Sequence, residues 1–574
     1  MKNILIPLVF MLLLTGCKQS FLDTQNLTQK SSDNFPQTPV EADQAVTGIY
    51  AVLATGFGGL ANPILLSEIM SDDRFGGGGQ DDRDPQALEF FRVKDPNAFS
   101  TTWASCYKAI FRANTLIASI NKPVWQSAAQ RRKVFGEASF LRAYFYLDLT
   151  RLFGQVPLVI DPTPANKPKA SADSLFAQIA TDLKYAIDSL PAEPINAGWK
   201  ASNMGRATKW AAEGIMARAF LFYTGYYQKT TMPLAGGGLI TKDMVSAWID
   251  DCVLNSGAVL VPDFRNMWPY SLKDSTNYGY ARANGLQWVT DAGNTESIFE
   301  IVYCGLTSAN WNTANVYNNT LDLYCGHRDP TAQKLPFGQG WGFAPVNPNF
   351  YDSWPSEDIR KQGSVWNVDD PSEGTDSYEL GGDKQWQETK LLGKKYIPVN
   401  INVGNADNPE IEGYGMKYFG ALNDMQLWNT QNIVLLRLAD VLLMGAELGG
   451  SNAQHYMDLV RERVQLPSVL PSLENIQNER HWELAFEGLR YFDLLRWYGK
   501  EAGAEIKKNE SNATIYNMTV ETSLEATPGG IFNDIEKRVR DTGGFLMIPD
   551  DQIQLSNGKL IQNSGWTNSS ETMY

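Results

Sequence analysis

Glu483 and Glu487 are the residues of this chain whose spacing most directly suggests catalysis. Four positions apart, they would lie one turn apart on a helix, and glycoside hydrolysis uses two carboxyl groups roughly 5 to 10 Å apart across a cleft. The same segment also carries Arg490, Asp493 and Arg496 beside apolar residues at helical spacing. Alternating charges in such a pattern usually form ion pairs along or between helices. We therefore interpret the two glutamates as structural, with a glycoside hydrolase as the alternative.

The sequence contains no other catalytic signature. Gly76 to Gly79 are followed by Gln-Asp-Asp, which lacks the lysine and hydroxyl of a phosphate loop. There is no G-x-S-x-G or HExxH motif, and the three histidines are not at metal-ligand spacing. Beyond Cys17, the cysteines form no CxxC pair. For Cys304 and Cys325, a disulfide and two free thiols are both alternatives at this point. We predict a protein that is not an enzyme and needs no cofactor.

An acidic, glycine-rich stretch between residues 71 and 82 is a candidate binding loop. Glycine lets a backbone approach a ligand closely, and clustered aspartates can accept sugar hydroxyls. They can also coordinate calcium, although no EF-hand spacing is present, and a solvated loop without a ligand is the alternative. The candidate ligand-binding residues here are Asp72, Asp73, Arg74, Phe75, Asp81 and Asp82.

The N-terminus carries an export signal that ends at a modifiable cysteine. Lys2 precedes an apolar run of about eleven residues, too short for the roughly 20 that span a membrane. The sequence Leu14-Thr15-Gly16-Cys17 resembles the bacterial lipobox, in which the cysteine thiol receives lipid. Acyl chains contribute about 0.8 kcal/mol for each buried methylene, which anchors a large domain without a spanning helix. The sequence therefore predicts a signal peptide at 1–16 and lipidation at Cys17.

The composition indicates a large globular protein with an acidic surface. The chain has 574 residues, 43% of them apolar, and a formal net charge of −15. An excess of negative charge disfavours nucleic acid and anionic lipid as partners.

Paired amphipathic helices are predicted on both sides of an irregular central region. Apolar residues at helical spacing predict helices over 104–120, 137–153, 174–190, 208–223, 433–448, 453–464 and 479–497, and less clearly over 242–255. Residues 297–303 have the pattern of a short strand. Glycine, asparagine, proline and tryptophan are frequent from about 231 to 430, and long irregular stretches usually carry function.

These features predict a mainly α fold, a tetratricopeptide-like scaffold of helix pairs with a large loop-rich insertion. The predicted units are a tether at 17–40, helix pairs at 41–230, a ligand-binding insertion at 231–430, helix pairs at 431–500 and an irregular segment at 501–574 that packs on the scaffold.

Five segments in order resemble the SusD/RagB family of outer-membrane nutrient-binding lipoproteins. Phe21-Leu22-Asp23 resembles the opening of that family after the cysteine. Residues 136–158 are similar to its long helix, and 433–447 (IVLLRLADVLLMGAE) to its Arg-x-Ala-Asp-x-x-Leu helix. Residues 479–497 (ERHWELAFEGLRYFDLLRW) resemble its most recognisable block, and 546–566 its closing Ile-Pro and Gln-Asn motifs.

The resemblance implies a non-catalytic capture protein at the cell surface. Such proteins bind oligosaccharides or polysaccharide outside the cell and deliver them to a TonB-dependent, SusC-like transporter on which they sit. The implied location is the outer membrane, facing outward, with the lipid on Cys17 as anchor. A peptide ligand, a lipid-anchored glycoside hydrolase and a purely structural transporter adaptor remain alternatives.

Aromatic residues in the insertion are the second group of candidate ligand contacts. Sugar rings have an apolar face edged by hydroxyl groups, so a glycan site needs flat aromatic side chains beside polar ones. Core packing is the ordinary alternative for any one tryptophan. The candidates, each in a polar and glycine-rich context, are Trp288, Trp311, Tyr324 and Trp341.

Overall fold

The computed structural model describes residues 35–566 except 57–61, 94, 164, 306–309, 311–316, 329–333, 374–377, 406, 519 and 524–533. The predictions for the signal peptide, Cys17, most of the tether and Trp311 therefore concern residues outside the described part of the chain. None of the helices within the described ranges is long and apolar enough to span a bilayer.

The N-terminal region is an array of packed helices, as predicted. Helix α1 packs on α4, α4 on α5, α5 on α6, α6 on α8 and α8 on α9. Side chains of Ser127, Ser171, Thr208 and Thr241 cap four of the N-termini by accepting a backbone N–H. The helices are α1 (Pro39–Gly56), α2 (Pro63–Ile69), α3 (Arg83–Glu89), α4 (Ser100–Ala118), α5 (Ala128–Phe153), α6 (Ala172–Ser189), α7 (Ala197–Asn203), α8 (Lys209–Tyr226) and α9 (Lys242–Asn255).

The central region consists of short elements joined by loops. Its strands form small antiparallel pairs, β1 with β2, β4 with β5 and β6 with β7. The strands are β1 (Met232–Pro233), β2 (Leu239–Ile240), β3 (Ser297–Ile301), β4 (Val365–Asn367), β5 (Leu391–Gly393), β6 (Asn400–Asn402) and β7 (Ile411–Gly413). The helices are α10 (Lys273–Thr276), α11 (Gly279–Ala283), α12 (Thr320–Cys325), α13 (Pro348–Ser353), α14 (Ile359–Ser364) and α15 (Tyr414–Phe419).

The C-terminal region returns to helices and contains more regular structure than predicted. Three helices and a hairpin lie in the described residues between 501 and 566, where the sequence predicts an irregular segment. The elements are β8 (Ile433–Arg437), α16 (Leu438–Leu448), α17 (Ala453–Arg463), α18 (Leu473–Glu483), α19 (Arg490–Tyr498), α20 (Ala502–Glu510), β9 (Thr514–Asn517), β10 (Val520–Ser523), α21 (Ile535–Thr542) and α22 (Asp550–Leu555).

The helix predicted over 433–448 is wrong in its first turn. Residues 433–437 form β8, which pairs antiparallel with β3, and Ile433 lies opposite Ile301. All five residues of β8 are buried, and α16 begins only at Leu438. A fully buried apolar strand has no alternation that would distinguish it from a helix. The partner strand β3 decides the conformation.

The helix predicted over 479–497 is two helices separated by a turn. Helix α18 ends at Glu483, and α19 starts at Arg490. Phe486 and Gly488 have φ angles of 66° and 75°. The Gly488 N–H donates to Glu68 Oε1 at 2.7 Å, so a side chain more than 400 positions away fixes the turn.

The two helical regions pack into one scaffold although the insertion separates them in sequence. Helix α8 packs against α19, and α9 packs against α16. Arg218 of α8 and Asp440 of α16 form a buried ion pair at 2.7 Å. Cys304 and Cys325 are both free, so the disulfide between them is absent.

Candidate functional site

Asp72 to Phe75, predicted as ligand contacts, lie in the protein interior. All four residues are at most 2% exposed. Arg490 binds both carboxylate oxygens of Asp72 at 2.7 Å, and Arg74 donates to the Ala344 carbonyl at 2.9 Å. The prediction that these four residues contact a ligand is therefore corrected. Asp72 and Asp73 have Arg490 and His481 as partners, more than 400 positions away, and local sequence does not reveal such contacts.

Asp72, Asp73 and His481 are the only group in the described residues with three potential metal-ligand atoms close together. These atoms all lie within 4.8 Å of one another. Calcium prefers six to eight oxygen ligands, whereas here one ligand is an imidazole. Asp72 is already neutralised by Arg490, and Asp73 accepts a hydrogen bond from His481. The cluster fits internal ion pairing better than calcium, and calcium binding stays a prediction.

The glycines after Phe75 lead the chain back to the surface between two segments of the insertion. Gly77 forms a bridge with Phe343, and Gly79 with Gln385. Gly77 has a φ of 67°, and a Cβ atom there would lie 2.4 Å from the Gly342 carbonyl oxygen. Only glycine fits this conformation and this approach. The turn thus joins the two groups of residues that the sequence predicts separately.

Asp82, Arg328 and Trp341 meet where this turn reaches the surface. Arg328 lies 3.4 Å from the Asp82 carboxylate and donates to the Trp341 carbonyl at 3.2 Å. The side chains of Asp82 and Arg328 are 36% and 23% exposed. Asp82 Oδ2 also accepts from the Gly79 N–H at 2.7 Å. We call these residues the 82–328–341 surface, and it combines an anion, a guanidinium and an indole.

Tyr324 supports Trp341 rather than forming a platform itself. Tyr324 is only 6% exposed, and its ring centroid lies 5.0 Å from that of Trp341 in an edge-to-face arrangement. Phe343 packs against both rings, at 5.8 and 6.3 Å. Trp341 is half-buried. Aromatic packing of this kind fixes a ring in one orientation, so Trp341 is the member of this cluster that can meet a ligand.

A neighbouring segment that the sequence reasoning missed completes the surface. Arg328 Nε donates to the Asp383 carbonyl at 2.9 Å, and the Arg83 guanidinium lies 5.9 Å from the Trp386 ring. Asp383 and Lys384 both have positive φ angles, 47° and 60°. Such strain in non-glycine residues clusters at functional sites. A tryptophan in a glycine-rich context, the signal used for Trp341, also describes Trp386 in Gly381-Gly382-Asp383-Lys384-Gln385-Trp386.

An open depression of about 460 Å³ adjoins Asp82. Asp81 is exposed at its rim, so Asp81 and Asp82 keep surface positions while Asp72 to Phe75 do not. Carboxylates can accept several hydroxyl hydrogen bonds at once. The lining residues are Asp81, Asp82, Arg83, Asp84, Pro85, Asp95 and Pro96.

Trp288, another of the predicted aromatic residues, does not join this surface. Trp288 is 7% exposed and packs edge-to-face on Tyr414 and Phe419, at 5.7 and 6.3 Å. It is a core residue, which corrects its prediction as a ligand platform. Trp311 lies outside the described residues.

Two family models match most of the chain between them. The model described as the SusD family matches residues 295–566, and the model described as starch-binding and associating with the outer membrane matches 21–221. The chain belongs to the SusD family.

Curated relatives are similar to this chain in sequence, and solved structures are similar to it in fold. SusD-like protein P2 of Formosa agariphila is 26% identical over 529 residues, which cover 85% of this chain and 89% of the relative. A laminarin-binding SusD-like protein superposes with a TM-score of 0.69 at 24% identity, covering 92% of this chain and all of that one. Surface glycan-binding protein A from Bacteroides thetaiotaomicron, in complex with laminarihexaose, gives a TM-score of 0.68 at 21% identity and covers 92% of this chain and 99% of that one. The mainly α, helix-pair fold is confirmed.

Residues 479–497 contribute to a buried ion network. Glu483 and Glu487 are 0% and 7% exposed. Arg437 donates to Glu483 Oε1 at 2.6 Å and to both oxygens of Glu487 at 2.7 Å. Arg360 also binds Glu483, at 2.9 Å, and Lys395 binds Glu487, at 2.7 Å. Neither carboxylate faces a cleft, so the pair is structural and the hydrolase alternative loses its candidate acids.

The pKa values of these two glutamates support the structural interpretation. Burial alone would raise the pKa of Glu483, but Arg463, Arg437 and Arg360 hold it well below its ordinary value. Burial likewise opposes ionisation of Glu487, and Arg437 and Lys395 lower its pKa below the ordinary value. A general acid in glycoside hydrolysis needs a raised pKa. Both glutamates have the opposite shift.

Proposed function

We propose that this protein captures oligosaccharides or polysaccharide at the cell surface and delivers them to a TonB-dependent, SusC-like transporter of the outer membrane. The proposal includes a lipid anchor on Cys17 and no catalysis. The observation that supports it most is the 82–328–341 surface, where Arg328 contacts both the Asp82 carboxylate and the backbone carbonyl of the half-buried Trp341. Stacking on the indole and hydrogen bonds to the charged groups are the two interactions that a sugar ring requires.

Transfer to a transporter requires release as well as binding. We therefore expect dissociation constants between about 1 μM and 1 mM, equivalent to roughly −8 to −4 kcal/mol. A nanomolar constant for the isolated protein would count against delivery. Laminarin is the first polymer to test, because two structurally similar proteins are named for laminarin or a laminarin oligomer.

Native gel electrophoresis in the presence of a polysaccharide panel tests the capture role. The protein is used from residue 18 onward, without the lipid, and each sample is also assayed for new reducing ends. Retardation by one polymer without new reducing ends is the expected result. New reducing ends would indicate a hydrolase. Failure of every polymer and oligosaccharide to bind would overturn the glycan proposal and favour a transporter adaptor or a peptide ligand.

A peptide ligand is the second candidate, and the acidic depression favours it specifically. Four aspartates, Asp81, Asp82, Asp84 and Asp95, line this cavity. Clustered negative charge attracts cationic chains, and the attraction weakens as salt increases. This candidate would be supported if no glycan retarded the protein in the gel and if the protein bound a lysine-rich peptide. That binding should be lost at 0.5 M salt.

A further inference from the structure

A small internal cavity lies where the two helical regions of the scaffold meet. Its wall is formed by α5 and α8 from the N-terminal region and by α16, α18, α19 and the turn before α19 from the C-terminal region. The lining side chains include four guanidinium groups and one carboxylate, and the other five are apolar. Four guanidinium groups against one carboxylate make the wall electropositive on its cavity side. The charged lining residues are Arg151, Arg218, Arg480, Asp493 and Arg496.

The carboxylate on this wall is already occupied by arginines. Asp493 Oδ2 accepts from Arg480 and Asp493 Oδ1 from Arg496, each at 2.8 Å. The other carboxylates that pair with the four arginines do not line the cavity, and they are Asp148, Asp440 and Glu447. The wall therefore presents positive charge and hydrogen-bond donors to the space inside.

Two buried N–H donors on the wall lack a hydrogen-bond partner. Among the residues that the structure describes, Nε of Arg151 and Nε of Arg218 form no hydrogen bond, and the two residues are 5% and 9% exposed. A guanidinium does not lose its proton in a protein, so each Nε–H needs an acceptor. Unpartnered donors this deeply buried are rare in folded proteins and need an explanation.

Other contacts hold both guanidinium groups on the wall. Arg218 Nη2 donates to the Leu435 carbonyl at 2.9 Å and to Asp440 at 2.7 Å. The Arg151 guanidinium lies 4.1 Å from the centroid of the Phe492 ring. Neither arginine can turn its Nε–H toward solvent without giving up these contacts.

The size of the cavity and the groups on its wall select the ligand. About 10 Å³ is open to the centre of a water-sized particle, so one small particle fits and a polyatomic anion such as sulfate does not. A water would accept from the two Nε–H groups, but among the lining carboxylates its own hydrogens would find only the occupied Asp493. A monatomic anion needs only donors and positive charge, and guanidinium groups supply both.

We propose that this cavity binds one monatomic anion, chloride, between the Nε–H groups of Arg151 and Arg218. These two arginines belong to α5 and α8, whereas Arg480 and Arg496 on the same wall belong to α18 and α19. The ion therefore stabilises the contact between the N-terminal and C-terminal helical regions. The site shares no residue with the 82–328–341 surface.

Replacing chloride with gluconate at constant ionic strength tests the site in the full chain after the signal peptide. Gluconate is too large for the cavity, whereas bromide should substitute for chloride. A ligand that binds only the folded state raises the folding equilibrium constant about tenfold for each tenfold rise in its concentration above the dissociation constant. Urea denaturation should show this dependence on chloride and on bromide, and no dependence on gluconate.

A pair of matched variants locates the ion. Arg151→Lys keeps a positive charge beside Asp148 but lacks the Nε–H group, so its stability should no longer depend on chloride. Arg132→Lys makes the same substitution at an exposed position of α5 and should keep the dependence of the wild type. An equal chloride dependence in the two variants would place the ion elsewhere and overturn the proposal.

Crystals of the wild type grown in bromide give a second readout that needs no variant. The expected result is an anomalous difference peak between Arg151 Nε and Arg218 Nε. A water molecule at that place, or no anomalous peak, would overturn the proposal even if Arg151→Lys did not fold. Neither measurement involves a glycan, so their failure would leave the proposed capture role untouched.

Discussion

Trp341 is the single side chain on which the proposed capture role depends most. Its ring is held by Tyr324 and Phe343, and its carbonyl is bound by Arg328. A ring that is already fixed loses little conformational freedom when a sugar stacks on it. Binding strength should therefore depend on this residue more than on aromatic residues exposed elsewhere.

Replacing Trp341 with alanine should weaken glycan binding by about tenfold or more, since aromatic contacts contribute roughly 0.5–1.5 kcal/mol beyond their buried area. Isothermal titration calorimetry with the polymer that retards the wild type measures this change. Phe111→Ala, at a residue of α4 that is 52% exposed, is the control and should bind normally. Unchanged affinity of Trp341→Ala would place the ligand elsewhere.

Arg328 connects the three parts of the surface and offers a second test at residue scale. It contacts the Asp82 carboxylate, the Trp341 carbonyl and the Asp383 carbonyl. Because exposed ion pairs contribute only about 0–1 kcal/mol, Arg328→Ala should leave stability nearly unchanged. Affinity for the glycan, measured by the same titration, should nevertheless fall several-fold. The reason is that Arg328 would no longer hold Asp82, Trp341 and Asp383 in their relative positions. A large drop in melting temperature would instead make Arg328 a structural residue.

At the scale of elements, the turn between α18 and α19 shows that a buried ion network, rather than local helix propensity, can determine where a helix ends. Glu483 lies at the end of α18 and binds arginines from β8, α14 and α17. Four elements therefore meet at one carboxylate, and the arginine from α14 is more than 100 positions away from it in sequence. Such a network needs all its members, because removing one leaves buried charges without compensation.

Glu483→Gln should destabilise the protein by about 3–5 kcal/mol, the usual cost of breaking a buried ion pair from one side. Urea denaturation followed by tryptophan fluorescence measures the loss. Glu462→Gln, at an exposed position of α17, is the control and should change stability by less than about 0.5 kcal/mol. If Glu483→Gln were as stable as the wild type but lost a hydrolytic activity, the structural interpretation would be wrong.

At the scale of the whole molecule, buried acids of two kinds determine how stability depends on pH. Burial raises the pKa values of Glu68, Asp291 and Glu388 to about 7. The contribution of these groups to the free energy of unfolding is fully present below their unfolded pKa values near 4. It is lost as pH rises toward 7. For Asp440, burial is outweighed by Arg480 and Arg218, which lower its pKa. Its contribution is present above about pH 4 and is lost as pH falls.

The melting temperature should therefore be highest near pH 5 and fall toward pH 8. Each raised group can contribute up to about 1.4 kcal/mol per pH unit between its two pKa values. Thermal unfolding by circular dichroism at constant ionic strength tests this, and Glu68→Gln should flatten the decline. A maximum at pH 8 would contradict the assignment of these acids as protonated in the folded protein.

Sequence alone determined the class of fold and its family. Periodic apolar residues located most helices within a few residues, since that periodicity is a local property of the chain. It failed at residues 433–437 and 484–489, where a buried strand partner and the Glu68 carboxylate decide the backbone. Those contacts join residues more than 100 positions apart and leave no local trace.

For the candidate site, sequence supplied the right residue types but not their arrangement. Asp82 and Trp341 could be named because their contexts are glycine-rich and polar, and the same signal describes Trp386. Only the tertiary structure showed that Asp72 and Trp288 are interior and that Arg328 unites the surface. The physical reason is that burial and charge compensation depend on which distant segments come together, whereas composition records only what each segment could contribute.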